Sequence, residues 1–391
     1  MRDFIVSQVL TSFPQIALKV GFLGLCLLSL TCESNAQSPY NLPEDDITPY
    51  ERNREEIIDA PETLPSELTP PEPLIPEAEK VLQVVPFRKL NGYQFVVDSL
   101  TFSPDGTQLL SGGGRNEPFL KVWSVETGKE LQSVRAQQTA IKAIAVGANS
   151  QVLATSGQDS DVHLWNLEAL NNRLIFFEQE LAVMAMAITP DSKILVSGAL
   201  DGIWLWTLDP RRPFYQLLGY GNPVYALSIA PNGYVVASGH EDGQVKFWNI
   251  REGNIEAEFR PHAKPISGVF ITPDGQKLIT ASLDRTIKIW DLETGELLHE
   301  LLGHNQIIRS IALSPDGKLV ASSSNDGIRI WSVNTGRLVA KPYASDPEWV
   351  QSLAFSPDSR LLASGRWDGQ IDLWQVLIPL TQATSTEVNQ E

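Results

Sequence analysis

The sequence predicts an all-β fold in which one four-stranded antiparallel unit is repeated seven times. Three observations predict it. First, tryptophans stand at Trp123, Trp165, Trp206, Trp248, Trp290, Trp331 and Trp374, separated by 42, 41, 42, 42, 41 and 43 residues. A period that regular marks a repeated supersecondary unit. Second, six units open on a proline turn: Ser103-Pro104-Asp105-Gly106, Thr189-Pro190-Asp191-Ser192, Ala230-Pro231-Asn232-Gly233, Thr272-Pro273-Asp274-Gly275, Ser314-Pro315-Asp316-Gly317 and Ser356-Pro357-Asp358-Ser359. Proline presets φ at the first central position, Asp or Asn caps the turn, and Gly accepts a positive φ. The second unit reads Gly147-Ala148-Asn149-Ser150 and lacks the proline. Third, apolar alternation flanks each turn, as in Val97-Asp98-Ser99-Leu100-Thr101-Phe102 before it and Leu109-Leu110-Ser111 after it. Period-2 patterning around turn residues is the signature of a hairpin.

A second hairpin turn follows most of the tryptophans, at Glu126-Thr127-Gly128, Glu252-Gly253-Asn254, Glu293-Thr294-Gly295 and Asn334-Thr335-Gly336. Each unit therefore holds four short strands, with the tryptophan in the third. No 3.6-residue periodicity runs between Val81 and Leu380. Units of this length, turn chemistry and tryptophan position resemble the WD-repeat β-propeller family over residues 81–380. The namesake pair occurs once, at Trp290-Asp291. The resemblance implies a seven-bladed propeller of four-stranded antiparallel blades. Leu82–Gly92 matches the outer strands of other units, and the last unit ends after its third strand. An N-terminal strand should therefore complete the last blade and close the ring.

The resemblance also implies a structural tetrad of His, Ser/Thr, Asp and Trp within a blade. Two units supply it: His262, Ser282, Asp284 and Trp290, and His304, Ser324, Asp326 and Trp331. The others carry Tyr93, Gln137, Gln179, Tyr220 and Asp346 at the histidine position and must satisfy their buried groups otherwise. The partner-binding face implied by the resemblance draws on two positions per unit. One gives Asp98, Lys142, Met184, Tyr225, Ser267, Arg309 and Gln351. The other, before the turn aspartate, gives Gln158, Leu200, Glu241, Leu283, Asn325 and Trp367; the first unit has an insertion there and is not aligned. Met184, Leu200, Tyr225 and Leu283 would form an apolar arc. Trp349 and Trp367 break the one-per-unit pattern, and Trp367 adjoins Arg366. Such residues suit interface hot spots, or the two indoles pack on each other. Trp204 alternates with Trp206 and should cover a blade face.

Residues 1–36 read as a secretory signal peptide with cleavage after Ala36. Val20–Thr31 is an apolar run too short for a comfortable span, Arg2 and Lys19 precede it, and Ser34-Asn35-Ala36 offers small residues for cleavage. The alternatives are an uncleaved anchor and lipidation at Cys32. Cys26 and Cys32 are the only cysteines, so a chain cleaved at Ala36 has neither disulfides nor thiol chemistry. Residues 37–80 hold nine prolines, 12 acidic and three basic residues. That composition predicts an acidic, disordered linker reaching roughly 100 Å. Residues 381–391 read as a flexible tail.

The net charge of −17 places −9 on the linker and −6 on residues 81–380, with no basic stripe. Nucleic acid and anionic membrane surfaces are thereby poor ligands, leaving membrane contact to the N-terminal anchor or a lipid on Cys32. Gly112-Gly113-Gly114-Arg115-Asn116 lacks the following helix that a phosphate loop needs and reads as a lengthened loop. His163, His240, His262, His299 and His304 show no metal-ligand spacing. No hydrolase signature is present. The expectation is a non-enzymatic scaffold, exported across a bacterial-type membrane, that binds a protein partner without cofactor or metal. The alternative is a carbohydrate- or small-ligand-binding ring, with or without hydrolase activity.

Overall fold

The computed structural model describes residues 82–377 except 171–173, 177–180, 209–210, 219–221 and 343–348. The expected signal peptide, linker and tail, with Cys26, Cys32, Gln179, Tyr220 and Asp346, lie outside the described residues. Seven four-stranded antiparallel sheets follow one another, with no helix among the described residues. The first blade runs Val97–Phe102, Gln108–Gly113, Phe119–Ser124 and Glu130–Arg135, from the innermost strand outward. The second to sixth blades repeat this order over residues 141–176, 183–218, 224–259, 266–301 and 308–340. The seventh takes Val350–Phe355, Leu361–Arg366 and Gln370–Leu377 from the end of the ring and its outermost strand, Gln83–Asn91, from the beginning. That strand pairs from Gln83 with Leu377 to Asn91 with Gln370. Its Pro86 sits beside a register shift, where an edge strand tolerates a missing N–H.

Each tryptophan lies in the third strand of its blade and points into the interface with the preceding blade. Trp331 joins Ile279, Ile287 and Ile289 of the fifth blade, and Trp248 joins Val196, Ile203 and Leu205 of the third. Trp123 of the first blade packs with Ala363, Ile371 and Leu373 of the seventh, so the closing interface has the same construction as the others. The core is thus a set of apolar wedges between neighbouring blades. A buried indole removes roughly 150–250 Å² from water, which makes these side chains the largest single contributors to each wedge.

The proline turns explain the recurrent aspartates. Ser103 Oγ donates to Asp105 Oδ1 at 2.5 Å, Asp105 accepts the Thr107 N–H at 3.0 Å, and the Ser103 hydroxyl accepts the Gln108 N–H at 3.0 Å. The same Ser/Thr–Asp contact recurs at Thr189–Asp191, Thr272–Asp274, Ser314–Asp316 and Ser356–Asp358. The Ser103 hydrogen bond, with the Thr107 N–H, holds the Asp105 carboxyl below its usual range. These carboxylates close turns.

Candidate partner-binding face

In all seven blades the indole N–H donates to a hydroxyl on the second strand: Ser111, Thr155, Ser197, Ser238, Thr280, Ser322 and Ser364, at 2.8 to 3.2 Å. In the fifth blade the chain continues. Thr280 Oγ1–H donates to His262 Nε2 at 2.9 Å, and His262 Nδ1–H donates to Asp284 Oδ2 at 2.8 Å. In the sixth, Ser322 donates to His304 Nε2 at 2.7 Å and His304 Nδ1–H donates to Asp326 Oδ1 at 2.6 Å. The structure therefore corrects the expected hydroxyls. Thr280 stands in place of Ser282, and Ser322 in place of Ser324. Trp290 pairs with Leu278 across the ladder, so its ring reaches the diagonal neighbour Thr280; Ser282 is one pleat too far. Ser282 Oγ instead donates to the Lys264 carbonyl at 3.0 Å, and the buried Ser324 Oγ has no partner.

Blades without the full set use substitutes. Tyr93 OH meets Ser111 Oγ at 2.9 Å, and Gln137 Nε2 donates to Thr155 Oγ1 at 3.5 Å. His240, two residues beyond Ser238 on the same strand, meets the Ser238 hydroxyl through Nε2 at 2.8 Å and donates from Nδ1 to the Asn222 carbonyl at 3.2 Å. Burial holds the His240 and His304 imidazoles below their ordinary pKa. Burial opposes ionisation of Asp284, but the His262 hydrogen bond and charge outweigh it and bring its pKa down to about 2. The relays through His262, His304 and His240 close on groups of their own blades, which makes them structural.

One end of the ring is marked by a defect in the ladder. Every innermost strand shifts register at its second residue, so Asp98, Lys142, Met184, Tyr225, Ser267, Arg309 and Gln351 are the extra residues of seven β-bulges. A bulge leaves one residue outside the pairing and re-aims its side chain. The second set lies at the same end. The N–H groups of Leu200, Glu241, Leu283 and Trp367 donate to the carbonyls of Ala182, Pro223, Pro265 and Trp349, just before those strands. In the first blade Gly114 makes this bond, to Val96 at 2.9 Å, and so occupies the position that the insertion had hidden.

Five of the expected face residues come together on the sixth and seventh blades. The Arg309 guanidinium lies 5.5 Å from the Trp367 ring centroid, and its Nε donates to Asn325 Oδ1 at 2.9 Å. Trp367 Nε1 donates to Gln351 Oε1 at 3.2 Å. Trp349 meets Trp367 edge-on, with centroids 5.9 Å apart and planes at 89°, and remains 45% exposed. The two indoles therefore pack on each other and still present a surface. Arg366 is turned inward, paired with Asp368 at 2.6 Å and Asp372 at 3.5 Å. Lys142 bridges to Asp98 at 3.2 Å across the first two blades. Met184 and Tyr225 occupy the bulges of the third and fourth blades, apart from this cluster. Trp204 stacks on Trp206, with centroids 5.8 Å apart.

Comparison with known proteins agrees with this construction. Residues 85–124 and 128–166 match the family described as WD domain, G-beta repeat. The first two of the seven blades are thus similar in sequence to that repeat family. Residues 227–368 match a domain of unknown function, DUF7165, which spans the later repeats. Among similar proteins, rat (Rattus norvegicus) apoptotic protease-activating factor 1 is 32% identical over 165 residues, covering 42% of this chain and 13% of that protein. Periodic tryptophan protein 2 of Arabidopsis thaliana is 29% identical over 173 residues, 43% of this chain and 19% of its own length. Anaphase-promoting complex subunit cdh1 of Dictyostelium discoideum is 26% identical over 208 residues, 44% and 27%. The chain thus spans less than a third of the length of these curated relatives.

Proposed function

We propose that the ring is a non-enzymatic scaffold that binds a protein partner through the bulged end of its sixth and seventh blades. One observation carries this reading. Trp349 stands 45% exposed on an arginine- and carboxamide-supported indole pair. Aromatic and arginine side chains held rigid at a surface are the usual anchors of protein interfaces. A preordered ring loses little freedom on binding, so such contacts convert efficiently into affinity. The relatives support the class of function, since one is by name a subunit of the anaphase-promoting complex. Export remains part of the proposal and rests on the apolar run at residues 20–31 and the small residues before Gln37. Export would put the ring in the periplasm or outside the cell, and protection from protease that is lost only when the inner membrane is breached would contradict it.

Affinity capture from the native cells after mild cross-linking tests the scaffold reading. A partner retained by the wild-type chain and lost from the Trp349→Ala/Trp367→Ala variant is the expected result. Equal capture by both would remove this face from consideration. A reproducible glycan-array signal in place of a protein would favour sugar stacking on the same indoles.

A further inference from the structure

Arg285 occupies a conformation that its side chain disfavours. It lies at φ +77° in the turn between the second and third strands of the fifth blade. At the same turn the fourth and seventh blades place Gly243 at +82° and Gly369 at +84°, and the second places Ser160 at +61°. A long branched-headgroup residue there is strained where glycine would not be. Among the described residues the exposed Arg285 guanidinium has no hydrogen bond, ion pair or ring contact, and its neighbour Asp284 is already committed to His262 and Thr286. Uncompensated strain at an exposed position points outward, to something the side chain meets.

A second cation shares the sector. Lys264 is exposed, and its ammonium is likewise without a partner among the described residues. Its loop is fixed to the Arg285 turn. Ser282 Oγ donates to the Lys264 carbonyl at 3.0 Å, and the Leu283 N–H donates to the Pro265 carbonyl at 3.0 Å. Both charges are therefore held on braced backbone at the bulged end of the fifth blade, the blade before the one that carries Arg309. Elsewhere at this end Lys142 is answered by Asp98 and Arg366 by Asp368, while Arg115 of the first blade stands alone among the described residues, on the far side of the ring order. Over a ring whose net charge is negative, two unanswered cations on one blade form a local positive sector.

We propose that Lys264 and Arg285 recognise an acidic protein segment, one that lays carboxylates across the fifth blade while its apolar residues reach the Trp349–Trp367 pair. This rests on the reading of that end as the partner-binding face. It adds the partner's chemistry, since charge complementarity sets orientation and encounter rate.

The test uses the full chain and fluorescein-labelled decaglutamate, decaglutamine and decalysine, followed by fluorescence anisotropy at about 50 mM salt, where exposed charges are weakly screened. Decaglutamate should bind, decaglutamine and decalysine should not, and added salt should weaken binding. The Lys264→Ala/Arg285→Gly variant should bind decaglutamate about tenfold more weakly, the loss expected when two complementary charges are removed. Its melting temperature should be unchanged or higher, because glycine relieves the turn; a merely structural arginine would give the opposite pair of results. Failure of decaglutamate to bind, equal binding of decaglutamine, or undiminished binding by the variant would overturn the proposal. If Trp349/Trp367-dependent partner capture persisted alongside such a failure, the scaffold reading would stand and only the acidic partner would fall.

Discussion

At the scale of the residue, the hydroxyl that receives each indole decides whether a blade's polar chain closes. Ser322 accepts from the Trp331 indole and donates its own hydrogen bond to His304, whereas Ser324, two residues on, is buried with no partner. Ser322→Ala should orphan two buried groups and cost about 1–3 kcal/mol, while Ser324→Ala should be neutral or slightly stabilising. Equal losses in denaturant unfolding would refute the assignment. The sequence could not make this distinction, because residues two apart on a strand share a face and both are small hydroxyls here. Only the register separates them. The same chains set a pH dependence. The Asp284 pKa is depressed to about 2, so its contribution is present above roughly pH 4 and is lost as the pH falls toward 2. Burial depresses His304 as well, so its contribution also fades with falling pH, beginning near its unfolded value of about 6.5. Asp284→Asn keeps an acceptor for His262 but removes the charge. It should lower stability at pH 7 by about 1–2 kcal/mol, allowing for partial solvent exposure, and flatten the acid limb of a Tm–pH curve. An unchanged acid limb would assign the loss to other carboxylates.

At the scale of the element, small residues on the second strands allow blades to approach. A Cβ at Gly239 would stand 2.4 Å from Ile266 Cγ2 of the next blade, and one at Gly198 2.6 Å from Val224. Gly239→Val should therefore overpack the fourth-to-fifth wedge, with a loss of about 1–3 kcal/mol visible in thermal unfolding. A wild-type melting temperature would mean that the blades can part more freely than this packing implies. Strands, hairpins and the tryptophan strand were legible because patterning and turn chemistry repeat with the same period. Two elements were not. The bulge is a fault in pairing that leaves the apolar alternation intact, so the sequence located its residues only by resemblance. Asp284-Arg285 reads as an ordinary charged loop until φ shows that glycine's place has been taken. The only advance sign was the Asp-Gly dipeptide at 242–243 and 368–369.

At the scale of the whole ring, closure depends on a strand that arrives from the other end of the chain. Gln83–Asn91 caps the seventh blade, and Arg88 reaches on to the Glu126 and Thr127 carbonyls of the first at 2.8 and 3.1 Å. A chain beginning at Gly92 would expose the edge of Gln370–Leu377 and should aggregate or unfold in more than one step. A single cooperative transition at the wild-type temperature would show that the strand is dispensable. The sevenfold bulge has a consequence of another kind. Because its residue takes no part in the ladder, its identity is free of the demands that fix its neighbours. Asp, Lys, Met, Tyr, Ser, Arg and Gln all occupy it in this one chain. The ring therefore resembles a combination lock with seven dials on one frame, coupled only where neighbours such as Asp98 and Lys142 touch, and the proposed face could change without the ring relearning how to fold.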